Sequence, residues 1–149
     1  MIDETTFLNI EKDYNFIFKK LCGSVSEGEN PDSKKNKKDF AFPTQWELFI
    51  WCAIMGYLDG KPQKIKKKQP LFRWQFISGD HRSSIIIFAI NSSKSLEIVN
   101  DKELLRQNIE EHANRGLELL NKKLALEPLA FNNIEDLIHQ IQQRDKGET

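Results

Sequence analysis

The sequence predicts a mainly α protein, a compact single-domain helical bundle over residues 1–149, with room for a short strand or hairpin around residues 71–90. Three observations carry this expectation. Apolar residues recur at intervals of three and four along several segments, as they do on a buried helix face. Two of those segments open with a polar capping residue followed three positions later by a glutamate. The apolar fraction of 39%, with ten Phe and three Trp, is enough for one real core, and 149 residues is the length of one ordinary domain.

In the first segment, Ile10, Tyr14, Ile17 and Leu21 are spaced four, three and four apart, which predicts a helix over 7–22. Phe7, Phe16 and Phe18 widen its apolar surface, and Gly23 is placed to stop it. Ser24 to Asp39 is polar, contains Gly28, Pro31 and four lysines, and reads as part of a flexible basic loop over 24–42. Thr44 and Glu47 form a capping-box pattern that opens a helix over 44–58. Its stripe is Trp46, Phe49, Ile50, Ala53, Ile54 and Tyr57, wide enough to imply burial on more than one side. Gly56 and Gly60 bracket its end.

Lys61–Gln69 has almost no apolar content and is expected to be exposed, closed by Pro70. Phe72, Trp74 and Phe76 alternate with Arg73 and Gln75, a strand signal over 71–77, although a helical turn fits so short a run as well. The run Ile85, Ile86, Ile87, Phe88, Ile90 suits a buried strand or a fully buried helix, and periodicity does not arbitrate between them. Asn100-Asp101-Lys102-Glu103 is a second capping pattern, and a helix over 101–124 follows with Leu105, Ile109, Ala113, Gly116 and Leu120 on its inner face. Gly116 in mid-helix implies a close helix–helix approach. Beyond Pro128, a final helix over 132–143 carries the stripe Ile134, Leu137, Ile138, Ile141.

The function classes narrow in the same way. No apolar run reaches the length of about 20 residues that spans a bilayer, and the opening Asp3-Glu4 has no secretory pattern, so the expectation is a cytoplasmic protein without membrane partners. Cys22 and Cys52 suggest buried, inert thiols rather than a bridge or a metal site. His81, His112 and His139 are scattered and read as surface or helix-face residues, and the pairs Glu110-Glu111 and Glu135-Asp136 as solvated faces. Asp80-His81-Arg82 fits a turn or helix start better than a catalytic cluster. No phosphate-loop, dinucleotide or nucleophile-elbow motif occurs, so no enzyme, cofactor or metal site is expected.

Charge is the strongest remaining signal. The net charge is zero, from 22 basic and 22 acidic residues, but residues 31–75 carry ten Lys/Arg against four acids. Between Gly60 and Trp74 lie Lys61, Lys64, Lys66, Lys67, Lys68 and Arg73 with no acid, and Lys34, Lys35, Lys37 and Lys38 form a second cluster. Concentrated lysines attract polyanions whatever the net charge. The bland reading is a solubilising loop, and Phe72 and Trp74 beside Arg73 are more simply core than base-stacking platforms. The functional reading makes these ten residues contacts to the backbone of double-stranded DNA, with the longer 34–38 loop contributing less because ordering it costs entropy. Trp46, Phe49 and Trp51 are the candidates for a subunit interface or homo-oligomer contact, since one helix carries more aromatic surface than a single inner stripe uses.

The motif order "TQWELFIWCAIMGYLDG", a basic linker, "FRWQFISGD", a hydrophobic stretch and "LLRQNIEEHANRGLELL" resembles the small proteins of bacterial DNA phosphorothioation (Dnd) systems, both DndE-like proteins and Dnd-associated accessory proteins. The matching positions are Trp74, Phe76 or Ile77, Gly79 and Asp80, then His112, Arg115, Gly116, Leu117 and Leu120, within a core of about 44–121. The resemblance implies a compact, mainly helical fold and favours helix for 83–90. It also implies a non-catalytic, DNA-binding subunit of a DNA-modification or anti-phage defence system that associates with itself or with other subunits. The alternative is an adaptor that bridges larger ATPase or nuclease components.

Overall fold

The structure, a computed structural model, describes residues 2–22 and 41–126. The predicted loop lysines 34, 35, 37 and 38, the Gly23 stop and the final helix over 132–143 lie outside the described residues. The chain forms β1 (Phe7–Glu11), α1 (Asn15–Leu21), α2 (Gln45–Asp59), β2 (Lys68–Arg73), α3 (Gly79–Ser93) and α4 (Lys102–Leu126), with single 3-10 turns at Lys12–Tyr14, Trp74–Phe76 and Leu96–Asn100. It is mainly α, as the sequence predicts, with one small antiparallel strand pair among the described residues.

The first segment corrects the expected helix over 7–22. Only 15–21 is helical, and residues 7–11 pair with 68–73 in the register Leu8↔Phe72 and Glu11↔Lys68. Leu8 and Ile10 are buried with period two, while Phe7 is 41% exposed. The helical spacing Ile10–Tyr14–Ile17–Leu21 is accidental at its first step, because the partner strand that claims Ile10 lies about sixty residues away and is invisible to local spacing. A bulge between Leu8 and Asn9 absorbs one extra residue of β2. Pro70 is tolerated because, among the described residues, β2 has a strand on one side only.

The predicted strand over 71–77 is shorter than expected. It ends at Arg73, and Trp74–Phe76 turns as a 3-10 helix whose backbone still bonds to Thr6 and Glu4. The isoleucine run is helical, within α3, and buries only Ile85 and Ala89 fully, one turn apart. Packing on that single face outweighs the strand preference of its β-branched residues. The capping predictions divide. Asp101, not Asn100, caps α4, its carboxylate accepting from Leu104 N–H at 3.1 Å. Thr44 is the N-cap of α2 but makes no capping bond with its side chain, so the expected capping box does not form.

Helices α2 and α4 pack antiparallel at the centre. The inner face of α4 is the predicted one, with Leu105, Ile109, Ala113, Gly116 and Leu120 all buried. The inner face of α2 is rotated from the prediction. Phe49, Ile50 and Ala53 are buried as predicted and are joined by Leu48, Cys52 and Gly56, whereas Trp46, Ile54 and Tyr57 are only partly buried. The rotation follows from two glycines. A Cβ placed on Gly116 would lie 1.9 Å from the carbonyl oxygen of Cys52, and one on Gly56 would lie 1.7 Å from that of His112. Each glycine therefore sits against the backbone one turn before the other, and the helices touch main chain to main chain. Gly60 then caps α2 in the left-handed region at φ 79°.

Candidate nucleic-acid interface

The basic segment leaves α2 at Gly60 and runs to β2 as an extended ribbon. It is not loose. Gln63 N–H donates to the Glu111 carbonyl at 3.0 Å. Asn114 donates from its side-chain amide to the carbonyls of Gln63 (3.1 Å) and Lys64 (3.2 Å). Glu11, at the end of β1, accepts from Lys66 N–H at 2.7 Å and Lys67 N–H at 3.0 Å. Lys12 N–H closes the series on the Lys67 carbonyl at 2.9 Å. At the ribbon's start, Arg115 bonds Asp59 at 2.7 Å and holds that carboxyl below its ordinary range.

These bonds fix the main chain of 63–67 and leave its lysine side chains to solvent. Lys61, Lys64, Lys66, Lys67 and Lys68 are exposed. Among the described residues, no carboxylate lies within 4.0 Å of the ammonium groups of Lys64, Lys66, Lys67 or Lys68. The acid-free stretch in sequence is nevertheless not acid-free in space. Glu11, Asp13 and Glu118 line a cleft of about 240 Å³ together with Tyr14, Gln63, Lys64, Lys66 and Asn114. Burial pushes the Tyr14 hydroxyl up, and Glu118, Glu11 and Asp13 push it further. Arg73 is set apart from the ribbon lysines. It is half-buried in β2 with its guanidinium over the Phe7 ring at 5.1 Å. Phe72 and Trp74 are core residues.

The three aromatic interface candidates also separate. Phe49 is fully buried and meets Phe72 edge to face at 5.2 Å, so it belongs to this chain's own core and is not available to a partner. Trp46 and Trp51 are partly exposed and line an apolar groove of about 280 Å³ with Phe42, Ile50 and Ile54, bordered by Glu47 and His81. His81 lies in the first turn of α3, as expected of Asp80-His81-Arg82, and meets Trp46 edge to face at 5.3 Å.

Sequence reasoning missed the residues that hold the ribbon, and it misplaced one other. Glu110 is 3% exposed rather than a solvated face. It accepts from the backbone N–H and side-chain amide of Asn9 at 2.5 and 2.9 Å and so ties α4 to β1, while burial raises its carboxyl. His112 lies on a helix face, one of its two expected places, and that face is buried, with the ring stacked on Tyr57 at 3.9 Å. The Asn108 carbonyl, 2.7 Å from Nδ1, can only accept, so Nδ1 carries the proton and Nε2 faces Ser92. Burial lowers the basicity of this histidine. Both cysteines are free and buried, and burial raises both thiols. Among the described residues, no group of three or more His, Cys, Asp or Glu is placed to hold a metal ion, and no helix is long and apolar enough to cross a membrane.

Fold and site together define a small, mainly helical protein built round one tight helix pair, with a clipped lysine ribbon along one edge. Residues 32–149 match the family described as DNA sulphur modification system-associated protein 4, and the chain belongs to that family. The match confirms the resemblance to Dnd-associated accessory proteins and extends it beyond the core of about 44–121 to the C-terminus. No curated protein and no solved structure matches the chain.

Proposed function

We propose that this Dnd-associated protein is a non-catalytic accessory subunit that binds the backbone of double-stranded DNA through the lysine ribbon, within a bacterial DNA-modification or anti-phage defence system. The observation that supports the reading is how the ribbon is held. Buried Glu11 and Asn114 spend their hydrogen bonds on its main chain, so five lysines are presented from an ordered scaffold. An ordered ribbon avoids the entropy a floppy loop loses on binding. Lysine–phosphate contacts position a protein on DNA without reading sequence.

The test is fluorescence anisotropy on two unrelated duplexes across a salt series, with the wild type and a Lys66→Gln, Lys67→Gln, Lys68→Gln triple variant. Affinity should fall equally for both duplexes, and the log–log salt slope should flatten by about 0.9 for each phosphate that is no longer neutralised. Wild-type affinity and slope in the triple variant would exclude direct binding through the ribbon.

The groove of Trp46 and Trp51 favours a second reading, an adaptor that docks a larger subunit of the system. Half-buried tryptophans in an apolar groove are what interface centres are made of. Under that reading Trp46→Glu and Trp51→Glu abolish capture of the system's other subunits and leave DNA affinity unchanged. Light scattering on the pure protein separates this from self-association.

A further inference from the structure

The groove of Trp46 and Trp51 carries a charge that a purely apolar partner would strand. On α2, positions 46, 47, 50, 51 and 54 share one face. The two tryptophans stand at its edges, about 140° apart round the helix, with Ile50, Ile54 and Glu47 between them. Each tryptophan has an aromatic neighbour from another segment. Phe42 lies 6.0 Å from the Trp51 ring, and His81 lies 5.3 Å from the Trp46 ring. Burial raises the Cys22 thiol and the Glu47 charge raises it further, and Cys22 bridges to Phe42, so the Glu47 carboxylate lies on the Phe42 side of α2. Glu47 is partly exposed and makes no ion pair among the described residues. No lysine or arginine lines the groove. The His81 ring is already engaged, by the Ser78 hydroxyl at 2.5 Å and by Trp46.

A partner that covers the two tryptophans also takes Glu47 out of water. A wholly apolar side chain there leaves a desolvated charge without a counter-ion, which is costly. A phosphate meets a like charge. We propose that the groove takes an arginine side chain of a partner protein, with its guanidinium against a tryptophan face and forked onto Glu47. This rests on the adaptor reading and names the chemistry that reading leaves open. The apolar stem of an arginine covers the isoleucines. Its planar, weakly hydrated head stacks on an indole and meets a carboxylate with two parallel N–H bonds, which an ammonium does not. A second copy of this chain is a poorer source, because the described arginines are engaged within their own chain. Arg82 bonds the Ile77 and Gln75 carbonyls, Arg106 bonds Glu103, Arg115 bonds Asp59, and Arg73 lies over Phe7.

The test follows the indole N–H signals of the full chain by NMR, without DNA, as acetyl-Leu-Arg-Leu-amide is added. Peptides with lysine or citrulline in place of arginine are titrated in parallel, citrulline keeping the shape of arginine without its charge. Trp74, 2% exposed, is the internal reference. The arginine peptide should move the Trp46 and Trp51 signals and leave that of Trp74 in place. The citrulline peptide should bind about tenfold more weakly, with lysine between the two. Glu47→Gln keeps the size of a partly exposed side chain, and should bring the arginine peptide to the citrulline level while leaving the citrulline peptide unchanged. The proposal is overturned if the lysine or citrulline peptide matches the arginine peptide, or if Glu47→Gln leaves arginine binding intact. It is equally overturned if diluting the pure protein moves the two signals as far as the peptide does, because a second copy then fills the groove. Capture of the system's other subunits separates this from the reading beneath it. Capture that survives Trp46→Glu and Trp51→Glu overturns the adaptor reading and the partner with it. Capture lost in those variants but full in Glu47→Arg leaves the adaptor reading standing and overturns the arginine alone.

Discussion

The α2–α4 crossing and the lysine ribbon lie side by side and are held by opposite means. At the crossing, two glycines bring main chain against main chain, and side chains contribute by being absent. Along the ribbon, the main chain is suspended from side chains, chiefly those of Glu11 and Asn114. The first arrangement tolerates no added atom, whereas the second depends on individual polar atoms. Substitutions should therefore act through overpacking in one region and through unsatisfied hydrogen bonds in the other.

The largest effect should come from the crossing. Gly116→Ala or Gly56→Ala must displace a backbone carbonyl, not a flexible side chain, and should cost about 3 kcal/mol or more, at or above the usual limit for overpacking. In a domain of this size that corresponds to a melting temperature lower by about 10 °C. Because both changes push the same two helices apart, the double variant should lose less than the sum of the singles. Unchanged melting in either single variant would show that the helices do not meet at these glycines.

The next effect belongs to the ribbon's supports. Asn114→Leu leaves the Gln63 and Lys64 carbonyls without their donor and should cost about 1–3 kcal/mol. Amide exchange should accelerate selectively over 63–67, and equal acceleration across α4 would show that Asn114 serves the helix rather than the ribbon.

A smaller effect depends on pH. His112 is held neutral by burial, with Glu111 as the nearby charge that opposes this. Its folded pKa lies below the ordinary 6.5, so between those two values the unfolded chain binds more protons than the folded one. Stability therefore rises with pH through that window and is lost as pH falls, by at most about 1.4 kcal/mol per pH unit. Glu110 acts in the opposite sense. Its raised carboxyl makes stability fall as pH rises above 4.5. Comparing the wild type with His112→Gln isolates the histidine, and the variant should show a flatter melting curve against pH near and below 6.5. Parallel curves would remove His112 as the cause.

The smallest effect on stability should be that of the lysine triple variant, within about 0.5 kcal/mol, because exposed side chains away from packed features usually matter that little. A larger loss would mean that the ribbon lysines are structural.

The sequence made some of this legible and hid the rest for identifiable reasons. Helix α4 was readable almost entirely, inner face and Gly116 included, because its 3.6-residue pattern is local. Helix α2 was readable in extent but not in rotation, since Gly56 looks like a terminus signal until Gly116 is seen to face it. Strand β1 was hidden by helix-like spacing and a distant partner. The lysines were found by charge alone, but their supports were not. Asn114 and Glu110 sit one step round α4 from its apolar stripe, where polar residues read as solvent-facing, and Glu11 gains its role only once β1 exists. The acids beside the lysines are close through folding, not through sequence.

The position of the ribbon relative to the glycine crossing has a mechanical consequence. The ribbon starts just past Gly60, the cap of α2, and is pinned by Asn114, two residues before Gly116 on α4. Side-chain interfaces give a little under load, because rotamers shift before backbones do. Here the junction beneath the attachment has two points, at Gly56 and Gly116, where a helix lies directly against its neighbour's backbone. A pull on the lysines is therefore expected to pass to both helices at once, so that α2 and α4 turn together rather than slide past each other.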